Sequence, residues 1–166
     1  MPGLEALAGL AGTWTATYEL RGDPSFDSDT PSSATVAAIL GGRFVRIDYT
    51  WDEDDRLEEH GPQQGSLLIG FEAAPAPGLV TVTWIDSWHS GQRTMVCPGV
   101  LLDNGGVDVL GSYPAGPGNP DSGWRTVLEP AGSGWTISMF NVSPEDEESL
   151  AVRAEYRRAT GQAPTV

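Results

Sequence analysis

Asp86 is the residue in this sequence best placed to do chemistry. It lies between Trp84 and Trp88 in the run LVTVTWIDSW, residues 79–88. On an alternating strand these three share a face with Val80 and Val82, which is the apolar one. A carboxylate there is costly unless partnered, and its pKa rises. Asp86 then reads as a general acid or base, with Tyr18 as a second proton-transfer group, or as the anchor for a ligand's donor. Two plainer roles stay open for it. The side chain can cap the turn Ser87-Trp88-His89-Ser90-Gly91, or it can pair with Arg158 in a structural ion pair.

Other reactive residue types are sparse. His60 and His89 are the only histidines, and no H-x-x-x-H spacing occurs, so no metal site is expected. Cys97, between Val96 and Pro98, has no base nearby in sequence and reads as an inert buried thiol. There is no G-x-S-x-G elbow and no glycine-rich dinucleotide turn. Arg46 and Asp48, two apart, form a surface ion pair if their strand faces them outward. With that phase inverted, Arg46 would point inward and hold a ligand carboxylate bidentately.

The elements that must position these residues are strands. TWTATYELR (13–21) puts Trp14, Ala16, Tyr18 and Leu20 on one face and threonines, Glu19 and Arg21 on the other. RFVRIDYTW (43–51) sets Val45, Ile47, Tyr49 and Trp51 against Arg46 and Asp48 in the same way. Residues 79–88, 135–142 and 150–158 alternate too, and 32–40, 65–72, 92–97, 107–113 and 123–129 complete about ten strands. Glycine turns such as Gly41-Gly42, Asn104-Gly105-Gly106 and Gly132-Ser133-Gly134 separate them. This pattern predicts a sandwich or a barrel. The first dozen residues carry the only helical spacing, at Leu4, Leu7, Ala8 and Ala11. If Trp14 faces inward, the shared interior is aromatic: Tyr18, Tyr49, Trp51, Trp84, Trp88, Tyr113, Trp124, Trp135 and Tyr156. Such a surface suits a flat or amphipathic ligand, and it also suits a packed core. The long runs 22–33 and 112–123 read as loops able to gate such a cavity.

The chain has 166 residues and a formal charge of −14, with 9 basic residues that are all arginine. That size suits one domain, at roughly 100–200 residues each, and residues 1–160 are expected to form it, with 161–166 a tail. The absence of lysine excludes Schiff-base chemistry and a lysine phosphate loop. The negative charge argues against nucleic acid or an anionic membrane as partner, leaving a small-molecule ligand and a monomer or homodimer. A single cysteine and no secretory segment point to the cytoplasm. The acidic runs at 52–55, 58–59 and 145–148 read as solvated loop tips and do not fit a calcium loop.

Gly12-Thr13-Trp14 follows the helical stretch and opens the first strand. This G-x-W arrangement resembles the start of the lipocalin and fatty-acid-binding barrels, the calycins. In those families the tryptophan closes the barrel floor and an arginine of the last strand packs across it. The resemblance implies those roles for Trp14 and Arg158, and an all-β, antiparallel up-and-down barrel of about ten strands with a short N-terminal helix. The order LAGLAGTW, LGGRFVRIDYTW, GFE, VTVTWIDSW and EYRR over residues 4–158 is similar to a bacterial family of uncharacterised calycin-like proteins. That likeness implies a fold and a ligand cavity but no activity. Nitrobindin-like barrels hold haem through a lumen histidine, which would make His89 the candidate here. GRFVR (42–46) resembles a segment of phenolic acid decarboxylases, small barrels that use tyrosines, an arginine and a glutamate. The expected ligand-binding set is therefore Trp14, Tyr18, Tyr49, Trp84, Asp86, Trp88, His89, Trp124, Arg46 and Arg158. The expected function is binding of a small hydrophobic or aromatic molecule, or cofactor-free isomerase, cyclase or decarboxylase chemistry.

Overall fold

A computed structural model describes residues 4–21, 28–51, 62–71, 78–87 and 90–159. One helical turn, α1 (Glu5–Ala8), precedes ten strands. These are β1 (Gly12–Leu20), β2 (Ser28–Ile39), β3 (Phe44–Trp51), β4 (Gln63–Phe71), β5 (Leu79–Asp86), β6 (Met95–Leu101), β7 (Val107–Tyr113), β8 (Ser122–Ala131), β9 (Gly134–Val142) and β10 (Glu148–Arg158). Each strand pairs antiparallel with its neighbours in sequence, and β1 pairs with β10, so the sheet closes into an up-and-down barrel. Closure removes the two edges of an open sheet, although β6 and β7 pair with each other only over residues 99–101 and 107–109.

Alternation decides which side chains face the interior. Val45, Ile47, Tyr49 and Trp51 of β3 are buried, while Arg46 is exposed. The inverted phase is therefore ruled out. Arg46 lies on the outer wall with its Nε 2.9 Å from Asp48, and Ser66 Oγ donates to the same carboxylate at 2.7 Å. Also outside, Arg125 holds Asp108 through two bonds of 2.9 and 2.7 Å and reaches Glu148 at 2.9 Å. That guanidinium ties β7 and β8 to the start of β10 and lies over the Phe140 ring of β9. Hydrogen bonding to Asp108, more than the pull of Glu148, raises its pKa well above the usual arginine value.

The floor forms where α1 enters β1. Leu4 and Leu7 are buried, and α1 touches β2 and β3. A Cβ on Gly105, in the β6–β7 turn at the same end, would collide with Ala6. Trp14 is buried, and its indole Nε1 donates to Leu10 O at 2.9 Å. From outside, the Arg158 guanidinium covers the indole at 4.6 Å and donates to Ala11 O at 3.3 Å. Gly12 is required twice over. Its φ is 138°, and a Cβ there would sit 2.6 Å from Arg158 Nη1.

Several expected boundaries move. The helix is a single turn, because Gly9 and Gly12 leave no room for a longer one. β2 begins at Ser28, so residues 28–33 of the expected 22–33 loop are strand, with Thr30 and Ser32 buried opposite β1. β6 starts at Met95, later than expected, and runs on through Pro98 and Gly99. Arg158 and Asp86 lie at opposite ends of the barrel, so they form no ion pair. No helix among the described residues is long and apolar enough to cross a membrane.

Replacing Trp14 by Ala removes the floor and should cost about 3–5 kcal/mol. Arg158→Ala removes the exposed stack and the long bond to Ala11 O, so a loss of about 0.5–1 kcal/mol is expected. Denaturant unfolding of the two variants checks both values.

Candidate functional site

The barrel interior changes character along its axis. Near the floor it is aliphatic, with Val45, Ile47, Leu67, Ile69, Val80 and Val82 all fully buried. Toward the other end the same strands carry Tyr49 and Trp51, Gly65 and Gln63, and Trp84 and Asp86. Tyr18 from β1, Thr30 and Ser32 from β2, and Trp124 and Thr126 from β8 join them. All are buried. The two halves follow from sequence position alone, because each strand's early or late interior residues fall at a fixed depth.

Aromatic rings in the second half pair in near-parallel stacks. Tyr18 lies against Trp51, with centroids 5.5 Å apart and planes 11° apart, and against Tyr49 at 6.2 Å. Trp84 lies against Trp124 at 5.6 Å and 4°. Lower down, Trp135 stacks on Tyr156 at 4.0 Å. Tyr49 lies directly over Gly65 of the neighbouring strand, where any Cβ would strike the phenol ring. That gap lets the Tyr49 hydroxyl reach β5, where it accepts a bond from Trp84 Nε1 at 2.9 Å. The Tyr156 hydroxyl reaches Ser32 Oγ at 2.8 Å, across β1 at the small residue Ala16.

Hydroxyls, one amide and one carboxylate make up the polar side of this half. Burial, then the neighbouring phenols of Tyr49 and Tyr156 and the Asp86 carboxylate, push the Tyr18 pKa well above its usual value. Tyr49 is also raised, mainly by burial, although the bond from Trp84 works in the other direction. Cys97 is buried and pushed up to about 11, which agrees with an inert thiol. Among the described residues no three His, Cys, Asp or Glu side chains gather as a metal site.

Asp86 occupies the inward phase, as expected, and is 7 % exposed. Its Oδ1 accepts from Ser90 N at 2.9 Å, while its own N–H donates to Ser90 Oγ at 3.0 Å. The carboxylate thus caps the turn after β5. Ser87 Oγ anchors that turn to β4, bonding Gln63 Oε1 at 2.7 Å and Gln64 N at 2.9 Å.

Of the expected ligand set, Tyr18, Tyr49, Trp84, Asp86 and Trp124 come together in this half of the interior. Trp14 and Arg158 form the floor at the other end, with the tryptophan N–H already spent on Leu10, so neither faces this cluster. Arg46 is outside the wall. Trp88, His89 and His60, and with them the haem reading, lie outside the described residues. Thr30 and Gln63 lie before the expected starts of their strands at 32 and 65, and Ser32, the first residue of the expected 32–40 strand, also falls in the expected 22–33 loop. Their alternation with Ala34 and Leu67 was the available signal. An open depression of about 530 Å³ also lies on the outer wall across β2–β5, where Ser33, Thr35, Asp48 and Ser66 line it.

A family model described as "Protein of unknown function (DUF1579)" matches residues 4–158. The chain belongs to the DUF1579 family. No curated protein matches it. What can be said of this DUF1579 protein's chemistry therefore rests on its own interior.

Two outcomes follow for that interior. Asp86→Asn keeps an oxygen for Ser90 N–H and should change stability by less than about 0.5 kcal/mol, whereas Asp86→Ala should cost about 1–2 kcal/mol. Thermal or denaturant unfolding separates them. Because Tyr18 and Tyr49 are raised above the ~10 of an unfolded chain, the folded state holds more protons at higher pH. Their contribution is intact below about pH 10 and is lost as the pH rises further. In an alkaline titration, their phenolate absorbance should appear only together with loss of circular dichroism.

Proposed function

We propose that this DUF1579 barrel binds a small hydrophobic or aromatic molecule in the half of its interior that lies away from the floor. One observation carries the reading. Stacked tryptophans and tyrosines share that half with hydroxyls and a carboxylate, while the floor half is mainly aliphatic apart from Trp14 and the Trp135–Tyr156 stack. A core needing only stability would be expected to keep polar groups out of both halves, since each requires a partner. Ligand sites commonly combine an apolar or aromatic wall with a few convergent polar groups. The connections 114–121 and 143–147 lie at the same end and give it a rim. The architecture is of the calycin kind, and the setting we propose is cytoplasmic. The charge of −14 disfavours nucleic acid and anionic membranes as partners.

Tyr18, Tyr49 and Asp86 interact electrostatically, which also suits a cofactor-free proton transfer. In that case Asp86→Asn would abolish turnover and leave binding in place. The capping bond from Asp86 to Ser90 is the reason binding is placed first.

Native mass spectrometry of the protein purified from its own host tests the proposal. Extra mass on the order of a few hundred daltons, lost on denaturation, is expected. The recovered compound, added at about a hundredfold its Kd, should stabilise the fold by about 2.7 kcal/mol. Trp124→Leu should weaken binding, and Arg46→Ala should leave it unchanged. A bare mass, with no thermal stabilisation from a panel of neutral aromatic compounds, would overturn the reading.

A further inference from the structure

The same cluster points to the charge and polarity of what it binds, and this inference rests on the binding proposal above. The buried polar side chains among the described residues are Thr30, Ser32, Gln63, Asp86 and Thr126, together with the phenols. None is cationic. The chain has no lysine, and no arginine among the described residues is buried. Arg46 and Arg125 are held outside the wall by Asp48 and by Asp108 with Glu148, and Arg158 lies beneath the floor. A carboxylate ligand entering this space would lose its hydration, meet no positive charge and approach Asp86.

Hydrogen-bond donors, in contrast, are in surplus. An indole N–H can only donate, so Trp84 Nε1 occupies a lone pair of the Tyr49 oxygen. The Tyr18 and Tyr49 rings stack at 6.2 Å, and a bond between their hydroxyls would use only one of the two phenolic protons. The second proton of the pair is left for a further acceptor. Donation into a phenol oxygen polarises its O–H and strengthens it as a donor in turn.

We propose that the ligand is electrically neutral and carries a hydrogen-bond acceptor such as a carbonyl, which takes the spare hydroxyl of the Tyr18–Tyr49 pair. The aromatic stacks supply contact area, and the hydroxyl sets orientation.

Four probes of one shape test this by equilibrium dialysis: naphthyl methyl ketone, ethylnaphthalene, naphthoate and naphthylmethylammonium. The ketone should bind about tenfold tighter than ethylnaphthalene and about a hundredfold tighter than naphthoate. Tyr18→Phe leaves one proton on Tyr49 and should keep the preference for the ketone over the hydrocarbon. The double variant Tyr18→Phe/Tyr49→Phe should lose it. If the double variant does not fold, the four-probe ranking on the unaltered protein still decides. Naphthoate binding as tightly as the ketone, or ethylnaphthalene binding at least as tightly, would overturn the inference and leave the binding site standing. Tightest binding of the ammonium would overturn it too and hand the anchor to Asp86. Binding of none of the four would remove the binding proposal along with it.

Discussion

The pairing of β1 with β10 is the constraint on which everything else in this molecule depends. Without it the ten strands form a long open sheet with two exposed edges, and no interior exists to be divided into halves. The register of that seam brings Trp14 opposite Arg158 and Tyr18 opposite Ala154. The first pair makes a floor. The second puts a small residue beside Tyr18, whose ring turns toward Trp51 and Tyr49. One ladder thus sets both the closed end and part of the polar cluster, although the two are far apart along the strands.

Outside and inside obey different electrostatic rules. On the wall, arginines pair with carboxylates of the same or another strand where water screens them, and each pair contributes little alone. Arg125 and Arg21 reach further, each bonding carboxylates of two strands. Within the barrel the single buried carboxylate among the described residues spends one oxygen on a turn, and the rest of the polarity is hydroxyl and amide. Excluding cations from the interior keeps its dielectric low and its hydrogen bonds strong.

Much of the fold was legible in the sequence, because half-buried strands advertise themselves by period-two alternation. The inward phases of residues 43–51 and 79–88 were read from Val45, Ile47, Val80 and Val82 and hold through to Trp51 and Asp86. G-x-W and the terminal arginine located the floor. Alternation is silent about depth along the axis, however. Trp14 and Arg158 therefore entered the expected ligand set, although they lie at the wrong end for it. Polar interior residues are also hard to read. Thr30 and Gln63 look like loop residues until the strands that carry them are seen to extend that far.

The contact of Tyr49 with Gly65 couples two positions on adjacent strands. Room for the phenol exists only because its neighbour has no side chain. Bulk at the two places is therefore shared, and a larger residue at one is tolerated only with a smaller one at the other. Among relatives, the two positions should change together, large with small. Their common occupant volume, rather than either residue alone, then sets how much room the interior has at that level.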